Sequence, residues 1–198
     1  MQLTNSLALK EWAVIVHALG IGKQTLLLRK GGLHERHGRF AIEPTEFFLF
    51  PTYVHQMAPG VISEILQDLG IDTHPPPIDE ICITHYATVH EMLWLDTLDR
   101  TATLAGLHCW TTDTITQRFA YGKSLGLHLF VLRAYQLPQP HMLPKLTRYG
   151  GCRSWVTLAE SLSTLGATPV LSDEVFAEQL QEIHTRLARV PRVQNIPT

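Results

Sequence analysis

Two short basic segments marked by glycines are the residues of this sequence best suited to bind a ligand. The first segment reads RKGG from Arg29 to Gly32, and the second reads RYGGCR from Arg148 to Arg153. Arginine side chains and the backbone amides of glycine turns both bind phosphate and carboxylate groups. If the two segments lie at the same end of a sheet, they form one anion-binding surface.

Charge is distributed unevenly along the chain, although the net charge is only −2. Residues 22–40 hold five cations against one acid (+4), and residues 114–153 hold six cations and no acid (+6). Residues 41–113 hold eleven acids against one cation (−10). Exposed ion pairs stabilise a protein by about 0–1 kcal/mol each, so pairing alone gives little reason for this segregation. The segregation favours an anion-binding surface, and ordinary surface charges paired with the acidic middle remain the alternative.

These patterns predict a module that binds RNA, single-stranded DNA or another anionic ligand. The predicted phosphate contacts are Arg29, Lys30, Arg36, Arg148 and Arg153, with Tyr149 or Trp155 stacking on a base. A pI near 6.6 argues against tight nonspecific binding to duplexes, so short single-stranded or structured RNA is the expected partner.

Two other functions stay open. An enzyme acting on a phosphorylated or otherwise anionic small substrate would use His34, Glu35, His37 and His55 as acid–base residues, because histidine titrates near neutral pH. A protein-interaction module without chemistry would instead bind a basic partner through the acidic middle segment. The sequence does not decide whether the protein is an enzyme.

No motif in the sequence indicates a cofactor or a metal. The histidines around Glu35 lack the HExxH spacing that places two ligands on one helical face, so no metal site is predicted. Neither GxxxxGK[ST] nor GxGxxG occurs, which leaves no nucleotide-binding loop of those classes. We therefore predict no cofactor.

Length and composition predict a single domain over residues 1–198. At 198 residues and 45% apolar content, the chain can bury a sizeable core without disulfides or metals. We expect a connector near residues 74–78, which contain three successive prolines, and a flexible tail over residues 191–198. Three cysteines without CxxC spacing and the lack of a secretory leader predict a cytoplasmic protein that does not span a membrane. Oligomeric state is not indicated.

The first half of the chain shows alternating helix and strand signals. Apolar residues at helical spacing predict a helix from Asn5 or Ser6 to Leu19, ended by Gly20. The run TLLLR predicts a strand that brings Arg29 to a turn, and short strands are expected at residues 40–42 and 47–50, with Pro51 breaking the second. A helix is expected over residues 61–69.

The second half is dominated by strands. Residues 81–95 predict two strands or one bent strand, and LHLFVLRAYQL predicts a central strand followed by a loop, LPQPHMLPKL. A helix capped by Thr111 or Thr112 is expected to end at Gly122, and SWVTL is expected to be a strand. Ser172 caps a final helix that turns Val175, Leu180, Ile183 and Leu187 inward. The fold class is therefore α/β (mixed α+β), with a curved mixed or antiparallel sheet flanked by helices that include N- and C-terminal ones.

The sequence resembles a bacterial family known as domain of unknown function 1802 (DUF1802). The resemblance lies in LKEWAVIVHAL, LLLRKGG, FFLFPTYVHQ, LRAYQLPQP and RYGGCRSWVTL, and it implies one domain spanning nearly the whole chain. The segment HALGIGKQTLLLR is also similar in outline to PUA-like barrels of the activating-signal-cointegrator homology (ASCH) branch, in which a helix, a glycine turn, a strand and an arginine follow one another. Those proteins usually place an acidic residue just before that arginine, where Leu27 and Leu28 stand here. This second similarity therefore implies a fold, a PUA-like β-barrel, and no ligand residues.

Overall fold

A computed structural model describes residues 1–30, 45–53, 60–63, 80–151 and 153–190 of the protein. Within these ranges the strands are Thr4–Trp12 (β1), Leu26–Arg29 (β2), Glu46–Thr52 (β3), Glu80–Leu95 (β4), Leu127–Pro144 (β5), Trp155–Ser163 (β6) and Thr168–Pro169 (β7). The α-helices are Ala13–Gly20 (α1), Leu98–Ala102 (α2), Thr112–Ala120 (α3) and Asp173–Ala188 (α4).

The seven strands form one mixed sheet. Its order is β2-β5-β4-β3-β1-β6, with β7 paired to β5. Strands β1 and β3 run parallel, and the other pairs are antiparallel. Among the described residues, β2 and β6 are the two ends of this path, so the sheet is not a closed barrel. The predicted mixed α+β class is confirmed.

The sheet is strongly curled. Three strands separate β2 from β1, which in a flat sheet would place them about 19 Å apart at roughly 4.8 Å per strand. The guanidinium of Arg29 on β2 nevertheless reaches the backbone carbonyl of Lys10 on β1, at 3.4 Å. Curvature therefore brings together the ends of strands that are not neighbours in the sheet.

The sheet separates two apolar clusters. The larger one joins strand residues to the buried sides of α1, α3 and α4, including Leu19, Ile115 and Ile183. The second cluster, around Phe48, Tyr86 and other strand residues, packs without a long helix. No helix in the described ranges has both the length and the apolar content to cross a membrane.

The predicted N-terminal helix is wrong in its first half. Residues Thr4–Trp12 form β1, and the helix begins only at Ala13, although it does end at Gly20 as predicted. Strand β1 pairs with β3 on one side and β6 on the other, so two ladders of long-range hydrogen bonds override the helical spacing of its apolar residues.

Prolines do not end the strands where the sequence suggests. Pro51 lies inside β3, beyond residues 46–48 that pair with β4, so its missing N–H is not needed on that side. The predicted loop after Leu137 is also strand, because β5 continues to Pro144. Its pairing jumps from His85↔Gln136 to Ile83↔His141, so Pro138 and Pro140 sit in a bulge.

Most other elements agree with the sequence. Strand β4 is one bent strand with irregular pairing at two points, and β2, β3, β5 and β6 contain the predicted strand runs. Thr111 and Ser172 cap α3 and α4 through their side-chain oxygens. In α4, Ile183 and Leu187 are buried and Leu180 is half-buried, as predicted. Phe176 is buried in place of Val175, which the helix turns to solvent and which is 41% exposed. The predicted strand at residues 40–42, most of the helix at 61–69, the connector at 74–78 and the tail at 191–198 lie outside the described residues.

Candidate anion-binding site

The site is built where β1, β2 and β3 end. Parallel pairing places the carboxyl ends of β1 and β3 side by side, and the curl of the sheet adds the end of β2. Arg29 Nη1 donates to Glu11 Oε2 at 2.5 Å, and Trp12 N donates to the other carboxylate oxygen at 3.0 Å. Glu11 is 5% exposed and the Arg29 side chain 13% exposed, so this is a largely buried ion pair.

A second guanidinium lies beside this pair. Arg118 on α3 places its guanidinium between two tryptophans, 5.0 Å from the ring centroid of Trp12 and 4.8 Å from that of Trp110. Its Nη1 also donates to the carbonyl of Leu28 at 3.3 Å. We call Glu11, Trp12, Arg29, Trp110 and Arg118 the arginine cluster.

The charges of the arginine cluster act on one another. Burial lowers the pKa of Arg118, the Glu11 carboxylate opposes that shift, and the Arg29 guanidinium adds to it. Arginine stays protonated in proteins, so two cations share one carboxylate. The cluster therefore carries one net positive charge in a partly desolvated place, and cation–π contact with two indole rings offsets part of its cost.

Lys10 connects the arginine cluster to the second glycine-marked segment. Its backbone carbonyl accepts from Arg29, and its ammonium Nζ donates to the carbonyls of Gly151 at 2.9 Å and Gly150 at 3.4 Å. The two glycine-marked segments thus contact the same lysine. Arg148 and Arg153, which flank the glycines, are exposed.

The other described residues that the sequence predicted to contact a ligand make contacts within the protein. The ammonium of Lys30 donates to the carbonyls of Phe119 (2.8 Å), Gly126 (3.0 Å) and Ser124, so it holds together the connection between α3 and β5. Tyr149 is buried, with its hydroxyl accepting from Ala159 N at 2.8 Å. The half-buried Trp155 packs edge-on against Phe47, with ring centroids 5.0 Å apart.

The remaining candidates lie outside the described residues. These are Arg36 and the acid–base candidates His34, Glu35, His37 and His55. No group of three or more His, Cys, Asp or Glu side chains able to hold a metal occurs in the part of the chain that the structure describes.

Sequence reasoning did not select Glu11, Trp12 or Arg118. Glu11 and Trp12 belong to the segment predicted as helix, and Arg118 appeared only as one of several cations. An 18-residue separation between Glu11 and Arg29 leaves no local signal of their pairing.

Comparison with solved structures finds three matching chains. One is a mutant form of ZmASCH from Zymomonas mobilis, with 13% identity over 81% of this chain and 92% of that chain, and a TM-score of 0.45. Another is ASCH from Zymomonas mobilis, with 12% identity over 90% of this chain and 93% of that chain, and a TM-score of 0.42. These are proteins of the branch that the N-terminal segment resembles in outline.

No curated protein matches the chain. The family described as "Domain of unknown function (DUF1802)" matches residues 8–182, which include every described residue of the arginine cluster and both glycine-marked segments. The chain belongs to the DUF1802 family.

Proposed function

We propose that the protein binds RNA or another single-stranded nucleic acid at the end of the sheet where the arginine cluster meets the second glycine-marked segment. Arg29 and Arg118 contact phosphate from the floor of this surface. Arg148 and Arg153 contact neighbouring phosphates from its exposed rim.

The observation that carries this proposal is the charge imbalance of the arginine cluster. A buried carboxylate needs one cationic partner, and Glu11 has one in Arg29. The Arg118 guanidinium adds a second positive charge that is near enough to interact with both. Gathering a second cation in a desolvated place costs free energy, and a bound anion would offset that cost. Neither Arg29 nor Arg118 is fully buried, which contact with a phosphate requires.

The geometry of Arg118 supports the same proposal. Two indole rings hold its guanidinium plane, which reduces the entropy lost when the fork binds a phosphate. The four acid–base candidates of the alternative enzyme lie outside the described residues. The overall charge of −2 fits a local phosphate-binding surface better than nonspecific duplex binding.

The test is the salt dependence of binding to a fluorescent RNA octamer, measured by anisotropy. Arg148→Gln combined with Arg153→Gln removes two exposed charges. The logarithm of the binding constant falls with the logarithm of the salt concentration, and for a single strand the loss of two phosphate contacts makes this negative slope shallower by about 1.4.

The control is Lys23→Gln with Lys145→Gln, which also removes two exposed charges but leaves the arginines in place. We expect the control to keep more of the affinity than the arginine variant. No detectable binding at low salt, or an equal loss in both variants, would show that the proposed surface is wrong.

A further inference from the structure

A pocket adjoins the arginine cluster at Trp110, which is part of its lining. It has a volume of about 380 Å³ and lies between residues 60–63 and the loop that leads from α2 to α3. A bridge between Val61 and Trp110 and hydrogen bonds from Ile62 N to the Cys109 carbonyl (2.9 Å) and from Thr111 N to the Gly60 carbonyl (3.1 Å) join its two walls. The size is within the range of small-ligand sites, roughly 300–1,000 Å³.

The described lining of the pocket is uncharged. None of the described residues that line it is Asp, Glu, Lys or Arg. His108 is 6% exposed, and burial lowers its pKa to about 4, with the positive charge of Arg118 acting in the same direction. The imidazole is therefore neutral at pH 7, which suits a neutral ligand.

The N-terminus of α3, which borders the pocket, is not set up to bind an anion. Thr111 caps the helix by accepting from Thr114 N at 3.3 Å, and Asp113 already places a negative charge in the first turn. The exposed Ser63 and Thr112 offer hydroxyls that both donate and accept, which matches the edge of a heterocycle.

Trp110 is a wall common to the pocket and the arginine cluster. Its ring contacts the Arg118 guanidinium at 4.8 Å and lies 5.7 Å from the imidazole of His108, between centroids. A ligand that reaches both places must carry an anionic part and a neutral, flat part next to each other. A nucleotide has both.

We infer that this pocket takes a single nucleobase of the bound strand, while the adjacent arginines hold the phosphate of the same nucleotide. This inference rests on the proposed function and adds to it a subsite for one unpaired base. It excludes a duplex as the ligand at this position, because a paired base cannot leave its stack without breaking its pair.

The test compares an RNA octamer with an octamer of the same length that lacks all bases, so that the phosphate charge is equal. Ala105→Trp fills the rim of the pocket from an exposed position, and Ala102→Trp, on the exposed side of α2, is the matched control outside the lining. The wild type should bind the complete octamer roughly tenfold more tightly than the abasic one. Ala105→Trp should remove most of that preference and leave the abasic affinity unchanged, whereas Ala102→Trp should behave as the wild type.

The outcomes separate the two proposals. If the wild type binds neither octamer, the proposed function itself is wrong, and the subsite falls with it. Equal binding of both octamers, or a full preference retained by Ala105→Trp, overturns the subsite alone and leaves phosphate binding in place.

Discussion

Replacing Glu11 by glutamine is the perturbation that exposes the charge balance of the arginine cluster. The carboxylate is 5% exposed and accepts from Arg29 at 2.5 Å, so its removal leaves Arg29 and Arg118 as two cations without an acid. Breaking a buried pair typically costs 3–5 kcal/mol. Because both arginines keep some exposure, we expect the lower end, about 3 kcal/mol, which corresponds to a fall in Tm of about 6–12 °C for a chain of this size.

A double variant gives the control for this prediction. Glu11→Met with Arg29→Met removes one charge of each sign and restores the net charge of +1 that the wild-type cluster has. Replacing a buried pair by apolar side chains is often close to neutral, so the double variant should be more stable than Glu11→Gln. Glu178→Gln, at an exposed position of α4, should change the free energy of unfolding by less than about 0.5 kcal/mol.

Urea unfolding at pH 7 gives the free energies, and thermal unfolding with inorganic phosphate adds a second readout. In Glu11→Gln the cluster carries an additional uncompensated charge, so phosphate should raise its Tm more than that of the wild type at matched ionic strength. A Glu11→Gln variant as stable as the wild type, with no greater response to phosphate, would refute the reasoning.

Three more predictions concern groups around the site. His108 has a pKa of about 4 in the folded state and about 6.5 when unfolded, so the unfolded chain takes up its proton first as pH falls. The free energy of unfolding should therefore decline from pH 6.5 to 4 by up to roughly 3 kcal/mol, and His108→Asn should flatten this part of the pH profile measured by urea unfolding. A Cβ at Gly60 would lie 2.7 Å from the Trp12 ring, so Gly60→Ala should lower the free energy of unfolding by about 1–3 kcal/mol and shift the tryptophan emission. An unchanged emission spectrum and an unchanged stability would contradict this packing. Lys30→Met removes three hydrogen bonds to backbone carbonyls and should lower the free energy of unfolding by about 1.5–3 kcal/mol with little change in RNA affinity. A variant that keeps its Tm but no longer binds RNA would make Lys30 a ligand residue instead.

Elements with local signals were predictable from the sequence. Thr111 and Ser172 cap α3 and α4 where expected, because an N-cap side chain bonds a backbone amide only two or three residues away. The apolar runs of β2 and β5 were equally clear. In each case the chemistry that fixes the element is contained within a few neighbouring residues.

Elements fixed by distant partners were not predictable. Strand β1 has apolar residues at helical spacing, and only its pairing with β3 and β6 makes it extended. The prolines of β5 look like a loop until the partner strand shows that they occupy a bulge. Local propensity is a weak guide when both sides of a strand are hydrogen-bonded.

The same reason limits what the sequence shows of the site. Arg29 was predicted to contact phosphate because it ends an apolar strand shortly before two glycines. Its carboxylate partner, Glu11, and its neighbour Arg118 are 18 and 89 residues away, and only the curl of the sheet brings them together. The charge segregation indicated a basic surface without showing which cations would be buried in it.

The most direct test of phosphate binding by the arginine cluster is an NMR titration of ¹⁵N-arginine-labelled protein with the RNA octamer. The account predicts that the Nε–Hε signals of Arg29 and Arg118 shift on binding, together with those of Arg148 and Arg153, while that of Arg133, paired with Asp173 on α4, stays in place. Binding that shifts Arg133 and leaves Arg29 and Arg118 unchanged would contradict the account.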